Sequence, residues 1–65
     1  MNDVIYFSRR AQEEREAALR TSDRKVRIAH LRFAEAYETK VRDLTAAQRR
    51  ATLQIVGVAE RQHRA

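Results

Sequence analysis

The segment Thr21-Ser22-Asp23 is the strongest interruption in a sequence that otherwise offers little to stop a helix. All three residue types favour turns and caps over helix interiors. The chain contains no proline and one glycine, Gly57, while strong helix formers such as alanine, arginine and glutamate are abundant. No stretch alternates polar and apolar residues for long enough to predict a strand. The sequence therefore predicts a single all-α domain over residues 1–65 with a turn at residues 21–23.

The apolar residues on both sides of the turn recur three and four positions apart, which is typical of amphipathic helices. This spacing predicts a first helix over residues 3–20 and a second helix that begins near residue 24 and reaches at least residue 44. Folded back at the turn, the two helices form an antiparallel hairpin. The predicted core seam between them consists of Val4, Phe7, Ala11, Ala18, Val26, Phe33, Tyr37, Val41 and Leu44.

The segment after residue 44 leaves two alternatives. Thr45 and Gln48 fit a capping box, which predicts a break near Thr45 and a third helix over residues 46–62. The apolar stripe nevertheless continues in phase through this region, and neither glycine nor proline stands at the junction. We favour one long second helix that continues to about residue 62.

A second helix of this length extends beyond the first and leaves its apolar residues uncovered in a monomer. A chain of this size buries only about 60% of its unfolded surface, and it has no cysteine with which to form a disulfide. Exposed apolar patches of this kind usually mark an interface. We therefore predict a homodimer that completes the core. Its predicted interface residues are Ala51, Leu53, Ile55, Val56, Val58 and Ala59.

His30 interrupts the apolar stripe of the second helix. When the hairpin pairs residues whose numbers add up to about 44, His30 lies opposite Glu14, the acid that interrupts the stripe of the first helix. Buried polar groups need partners, so we predict a structural hydrogen bond between these two side chains. The alternatives are a ring edge that reaches solvent beside Arg15 or Arg27, and a histidine used in catalysis or metal binding.

The residues needed for a catalytic or cofactor site are sparse. No serine or cysteine shares the faces of Glu14 and His30 apart from Ser8, two turns away, and no glycine-rich loop is present to hold a phosphate. With no cysteine and two histidines, a metal site would need a further ligand from elsewhere. We therefore predict no catalytic, metal-binding or cofactor-binding residues and a protein that is not an enzyme.

The net charge is +5, from 14 basic and nine acidic residues. A basic patch is a candidate contact for acidic proteins or for nucleic-acid phosphates. Its residues are Arg20, Arg24, Lys25, Arg27 and Arg32. We predict an interaction module that self-associates and presents arginine-rich faces to a protein partner, with phosphate-directed nucleic-acid binding as the alternative.

No apolar run approaches the ~20 residues that cross a bilayer, and the N-terminal residues lack the layout of a signal peptide. The basic residues are spread around the helices and interrupted by acids, unlike a membrane-surface helix. We expect a cytoplasmic protein without a membrane partner.

The first half of the chain carries a pattern of aromatic, basic, acidic and small residues on both sides of the turn. Its residues are Tyr6-Phe7, Arg9-Arg10-Ala11, Glu13-Glu14, Val26-Arg27, Ala29-His30-Leu31, Ala34 and Tyr37. In this pattern, residues 6–37 resemble a group of short, uncharacterised helical proteins from alphaproteobacteria. The resemblance implies a helical hairpin, with no assigned activity.

Overall fold

The computed structural model describes the backbone of residues 2–63 and the side chains of residues 2–57. Within residues 2–63 the chain forms two helices and no strand, with α1 over Asp3–Arg20 and α2 over Arg24–His63. The helices pack on each other as a hairpin. The all-α helical hairpin with a long second helix, as predicted from the sequence, is confirmed.

Side-chain caps begin both helices. The Asn2 Oδ1 atom accepts hydrogen bonds from the backbone N–H groups of Val4 and Ile5 at 3.0 and 3.4 Å. The Asp23 Oδ1 atom accepts from the N–H groups of Lys25 and Val26 at 2.9 and 3.2 Å. Each cap satisfies two of the N–H groups that a helix start leaves without a partner.

The turn between the helices is held by Thr21. Its backbone is extended, with φ −91° and ψ 140°, and its N–H donates to the carbonyl oxygen of Ala17 at 3.3 Å. The Thr21 Oγ1 atom accepts from the N–H of Asp23 at 3.2 Å, and the carbonyl oxygen of Thr21 accepts from the Arg27 guanidinium at 3.2 Å. The three turn residues therefore end α1 and position the cap of α2.

Helix α2 is continuous and runs without a break through Thr45. Two other threonines inside it donate hydrogen bonds to the carbonyl four residues earlier, Thr39 to Glu35 and Thr52 to Gln48, both at 3.0 Å. A threonine that bonds in this way can be accommodated in a helix interior. Because Thr45 lies inside the continuous helix α2, the capping-box pattern at this residue does not start a third helix.

The two helices differ greatly in length. Helix α1 has 18 residues and α2 has 40, which corresponds to about 27 and 60 Å at 1.5 Å per residue. The molecule measures 65 × 19 × 13 Å, and its radius of gyration is 18.2 Å, against about 11 Å for a compact domain of this size. We call residues 45–63 the extension, because α2 continues there beyond the level of Asp3, the first residue of α1.

Alanines form the buried centre of the hairpin. The exposed fractions of Ala11, Ala18 and Ala34 are 5%, 2% and 0%. Among the side chains of residues 2–57, no large side chain is fully buried. Small side chains allow close approach of two helices, but two helices cannot enclose a large residue on all sides.

The structure differs from the predicted seam at two positions. Val26 and Phe33 are exposed to 41% and 56%, whereas the other large seam residues are half-buried. The side of α2 that faces α1 passes through Ala34, one residue after Phe33. One residue is about 100° of rotation, so Val26 and Phe33 lie on the flank of the hairpin.

Candidate functional site

The structure brings Glu14 and His30 together across the two helices. The Glu14 Oε2 atom lies 2.5 Å from His30 Nδ1, and the two side chains are 13% and 31% exposed. When the Glu14 carboxylate accepts this hydrogen bond, the donor is the N–H group at Nδ1 of His30. The pair therefore links α1 to α2 at the level where both apolar stripes carry a polar residue.

Arg10 completes the hydrogen bonding of Glu14. Its Nη2 atom donates to Glu14 Oε1 at 3.2 Å, and its Nη1 atom donates to Glu13 Oε2 at 2.9 Å. The same guanidinium lies over the ring of Tyr37, 5.5 Å from the ring centroid. Both carboxylate oxygens of Glu14 thus have partners, which is what a largely buried carboxylate requires.

Aromatic residues line the side of the hairpin on which Arg10 contacts Tyr37. The rings of Phe7 and Tyr37 stack with centroids 5.9 Å apart, and the ring of Tyr6 meets Phe7 edge to face at 5.2 Å. Phe33 lies one helical turn before Tyr37 on α2. We call Tyr6, Phe7, Phe33 and Tyr37 the aromatic flank. Tyr6 and Phe33 are 45% and 56% exposed, and such residues beside an arginine are typical of protein interfaces.

The opposite flank of the hairpin carries a second cross-helix contact. The Arg15 guanidinium donates two hydrogen bonds to the Glu38 carboxylate, both at 2.7 Å. These bonds hold the pKa of Glu38 below its ordinary value. An open groove of about 580 Å³ lies beside the pair and includes Leu19, which is 86% exposed.

Over residues 47–56 of the extension, no helix covers the side chains. Residues 47–56 are all exposed, and Leu53, Ile55 and Val56 have exposed fractions of 63%, 71% and 48%. Ala51 is exposed as well. The side chains of Val58 and Ala59, which the sequence also assigns to the interface, lie outside the described residues.

The predicted basic patch is exposed at the turn end of the hairpin, and it divides between two sides of α2. Lys25 and Arg32 are seven residues apart and share one side, while Arg24 and Arg27 lie on another. Among the side chains of residues 2–57, Arg20 is the one patch member in an ion pair, 3.7 Å from Glu16. The patch is therefore a basic collar around the turn rather than one flat face.

Comparison of the chain with protein-family models, curated proteins and solved structures finds no match. The resemblance of residues 6–37 to the alphaproteobacterial proteins therefore stays a prediction. In the part of the chain that the structure describes, no three histidine or acidic side chains are grouped as metal ligands would be. Neither helix, over that same part, has a segment long and apolar enough to cross a membrane.

Two features of the site escape the sequence analysis. Arg15 and Glu38 are not level in the hairpin, but side chains lean toward the N-terminus of their own helix. In antiparallel helices, these two therefore lean toward each other and meet. The exposure of Phe33 was also missed, although the adjacent Ala34 offered a signal, since a small residue beside a large one allows either to face the partner helix.

Proposed function

We propose that the protein is a small cytoplasmic interaction module rather than an enzyme, and that it self-associates as a dimer through the extension. Its arginine-rich collar then meets an acidic surface on a protein partner. The observation that carries this proposal is the exposure of Leu53, Ile55 and Val56 on a half-helix against which α1 does not pack.

The composition of the extension supports association. It contains Gly57, two threonines and several β-branched residues, all of which lower helix propensity relative to alanine. Isolated helices of this length are marginal in water, and tertiary packing supplies most helix stability in proteins. Full burial of one aliphatic side chain contributes about 1.5–3 kcal/mol. A partner that covers the extension would therefore stabilise it as a helix.

The self-association has a direct test. Sedimentation equilibrium of the wild-type protein at micromolar concentration should give twice the chain mass of 7.6 kDa. The substitution Ile55→Glu places a charge on the exposed apolar surface and should give a monomer. Leu19→Glu is the matched control, because Leu19 is also aliphatic and exposed but lies on α1, and this variant should remain dimeric. A monomeric wild-type protein would contradict the proposal.

The collar supports an acidic partner by its charge. Its five basic residues are exposed, and within residues 2–57 one of them makes an ion pair. Charge reversal at Arg24 and Lys25 should abolish capture of an acidic partner from the native host without changing the dimer. Loss of the dimer in this variant would place the collar inside the self-association surface instead.

Nucleic acid is a second candidate partner, favoured by the same exposed charges together with the net charge of +5. Binding to phosphates falls steeply with salt because counterions are released. Binding of duplex DNA is measured by titration at about 50 and about 200 mM salt. If several arginines contact phosphates, the affinity at the higher salt concentration should be lower by about tenfold or more. Absence of binding at low salt would remove this candidate and leave the protein partner.

A further inference from the structure

A stripe of apolar and small residues, interrupted by Lys40, runs along α2 from the hairpin into the extension. At 3.6 residues per turn, its members fall within about 80° of the helix circumference. It spans about 44 Å of helix at 1.5 Å per residue. We call it the α2 stripe, and it consists of Val26, Ala29, Phe33, Tyr37, Lys40, Leu44, Ala47, Ala51 and Ile55.

The α2 stripe is separate from the contact with α1. Its centre lies about 100° around the helix from Ala34, which α1 buries completely. Tyr37 and Leu44 are half-buried, and the remaining members are exposed. Tyr6 and Phe7 of α1 lie beside the hairpin half of the stripe, because the ring of Phe7 stacks on that of Tyr37 and meets the ring of Tyr6 edge to face.

The two halves of the stripe are complementary in size. The hairpin half presents Phe33 and Tyr37, and the extension half presents Ala47 and Ala51. In the antiparallel alignment that sets Phe33 opposite Ala51 of a second copy, Tyr37 lies opposite Ala47 and Ala29 lies opposite Ile55. At these three levels a large side chain therefore meets a small one, which favours close packing.

The same alignment pairs the charges at its centre. Lys40 is the one charged residue of the α2 stripe, and it lies opposite Leu44 of the second copy, next to Asp43. Asp43 borders the stripe on the side of Lys40, about 60° around the helix. Because the alignment is symmetric, two Lys40–Asp43 pairs lie on either side of the dimer axis.

The lengths of the helices match as well. The extension is about 28 Å long and α1 is about 27 Å long. A copy of the extension laid on the hairpin half of the stripe thus reaches from the level of Asp3, where α1 begins, to the turn. An arrangement in which the extensions pair only with each other leaves Phe33 and Tyr6 of both copies exposed. Packing on the hairpin half covers Phe33 and Ile55, while Leu53 and Val56 lie on the other side of the extension and stay at the surface.

From this complementarity we propose that each extension packs antiparallel on the α2 stripe of the other copy's hairpin, beside Tyr6 and Phe7 of α1. Each end of the dimer is then a three-helix unit built from α1, α2 and the extension of the second copy. The occupant of the hairpin half of the stripe is a second copy of this chain, and the inference rests on the proposed self-association.

Engineered cysteines test the arrangement, because the chain has none of its own. In the proposed dimer, Ala29 of one copy lies beside Gln54 of the other, and both are exposed in the single chain. The variants Ala29→Cys and Gln54→Cys are mixed as reduced dimers, allowed to exchange subunits, and oxidised. The mixed disulfide should be the main cross-linked product, with masses distinguishing it from either homodimer.

A matched control uses the neighbouring position. Ile28→Cys lies one residue from Ala29 but on the far side of α2, and it should form little mixed disulfide with Gln54→Cys. Sedimentation of the reduced variants separates the two proposals. A monomer would contradict the self-association itself. A dimer that oxidises mainly as a Gln54→Cys homodimer, or equally well with Ile28→Cys, would overturn the packing on the hairpin and leave self-association standing.

Discussion

Glu14 Oε2 lies 2.5 Å from His30 Nδ1 and joins the two helices at one level of the hairpin. The carboxylate also accepts a hydrogen bond from Arg10, so both oxygen atoms of Glu14 have a hydrogen-bond partner. A polar pair inside an apolar seam disfavours other alignments, because sliding the helices would leave both groups without partners. The pair therefore favours one alignment of α1 on α2.

Removal of the imidazole should destabilise the hairpin. His30→Ala leaves the Glu14 carboxylate without its cross-helix partner, and we expect the free energy of unfolding to fall by about 1–3 kcal/mol. Helicity at low temperature should persist, because the caps and alanine seam are unchanged. Thermal unfolding followed by circular dichroism at fixed protein concentration measures this, with the exposed Arg32→Ala as control. Stability equal to that of the control would contradict a structural role for His30.

Acid should weaken the contact between Arg15 and Glu38. The hydrogen bonds from Arg15 hold the pKa of Glu38 below its ordinary value of 4.5, so the folded protein favours the carboxylate. The stabilisation is fully present above the pKa of the unfolded chain and is lost as pH falls through the lowered folded-state pKa. The contact is partly exposed, with Arg15 and Glu38 side chains 48% and 34% accessible, so the effect is modest and is screened by salt.

Glu38→Gln measures that contribution. We expect its melting temperature to lie below that of the wild type at pH 7 and the difference to shrink steadily in acid. The control Glu35→Gln changes an exposed carboxylate on the same helix and should show a smaller difference at pH 7. A gap between wild type and Glu38→Gln that stays constant down to about pH 3 would mean that the contact does not stabilise the folded state.

Local chemistry explains how much of the hairpin the sequence predicts. Residue types and spacing predict the turn at residues 21–23 and the great length of helix α2. They also predict that Glu14 and His30 lie at the same level of the hairpin. Periodicity does not define the facing direction of a helix to better than about one residue, or 100°. Whether Phe33 or Ala34 faces α1 depends on how closely the two backbones approach. That distance is a property of the packed pair rather than of either helix.

Substitutions at these two neighbours should separate the seam from the flank. Ala34 is completely buried and Phe33 is 56% exposed. In the monomeric Ile55→Glu background, Ala34→Leu should lower the free energy of unfolding by about 1–3 kcal/mol through overpacking. Phe33→Ala should lower it by less than about 1 kcal/mol. Chemical denaturation compares the two, and equal losses would return Phe33 to the contact with α1.

The same Phe33→Ala substitution should weaken the dimer when Ile55 is intact. The ring then loses its place opposite Ala51 of the second copy, and the dissociation constant should rise by about tenfold or more, as for truncation of an aromatic interface residue. Leu19→Ala is the control, since Leu19 is a more exposed residue on the opposite flank. A dimer unaffected by Phe33→Ala would contradict packing on the hairpin half of the α2 stripe.

Gly57 offers a test of helix stability separate from the interface. Beyond the adjoining residues and the backbone of its own helix, a Cβ atom at Gly57 would meet nothing within 4 Å, and glycine inside a helix costs about 1 kcal/mol relative to alanine. Gly57→Ala should therefore raise the helical signal in circular dichroism and the free energy of unfolding by about that amount. Arg50→Ala is the control, because it exchanges one strong helix former for another.

Gly57 lies more than 90° around α2 from the centre of the stripe, so the dimer of the Gly57→Ala variant should be as tight as that of the wild type or tighter. A dimer lost in Gly57→Ala would place the second copy against Gly57 and away from the α2 stripe.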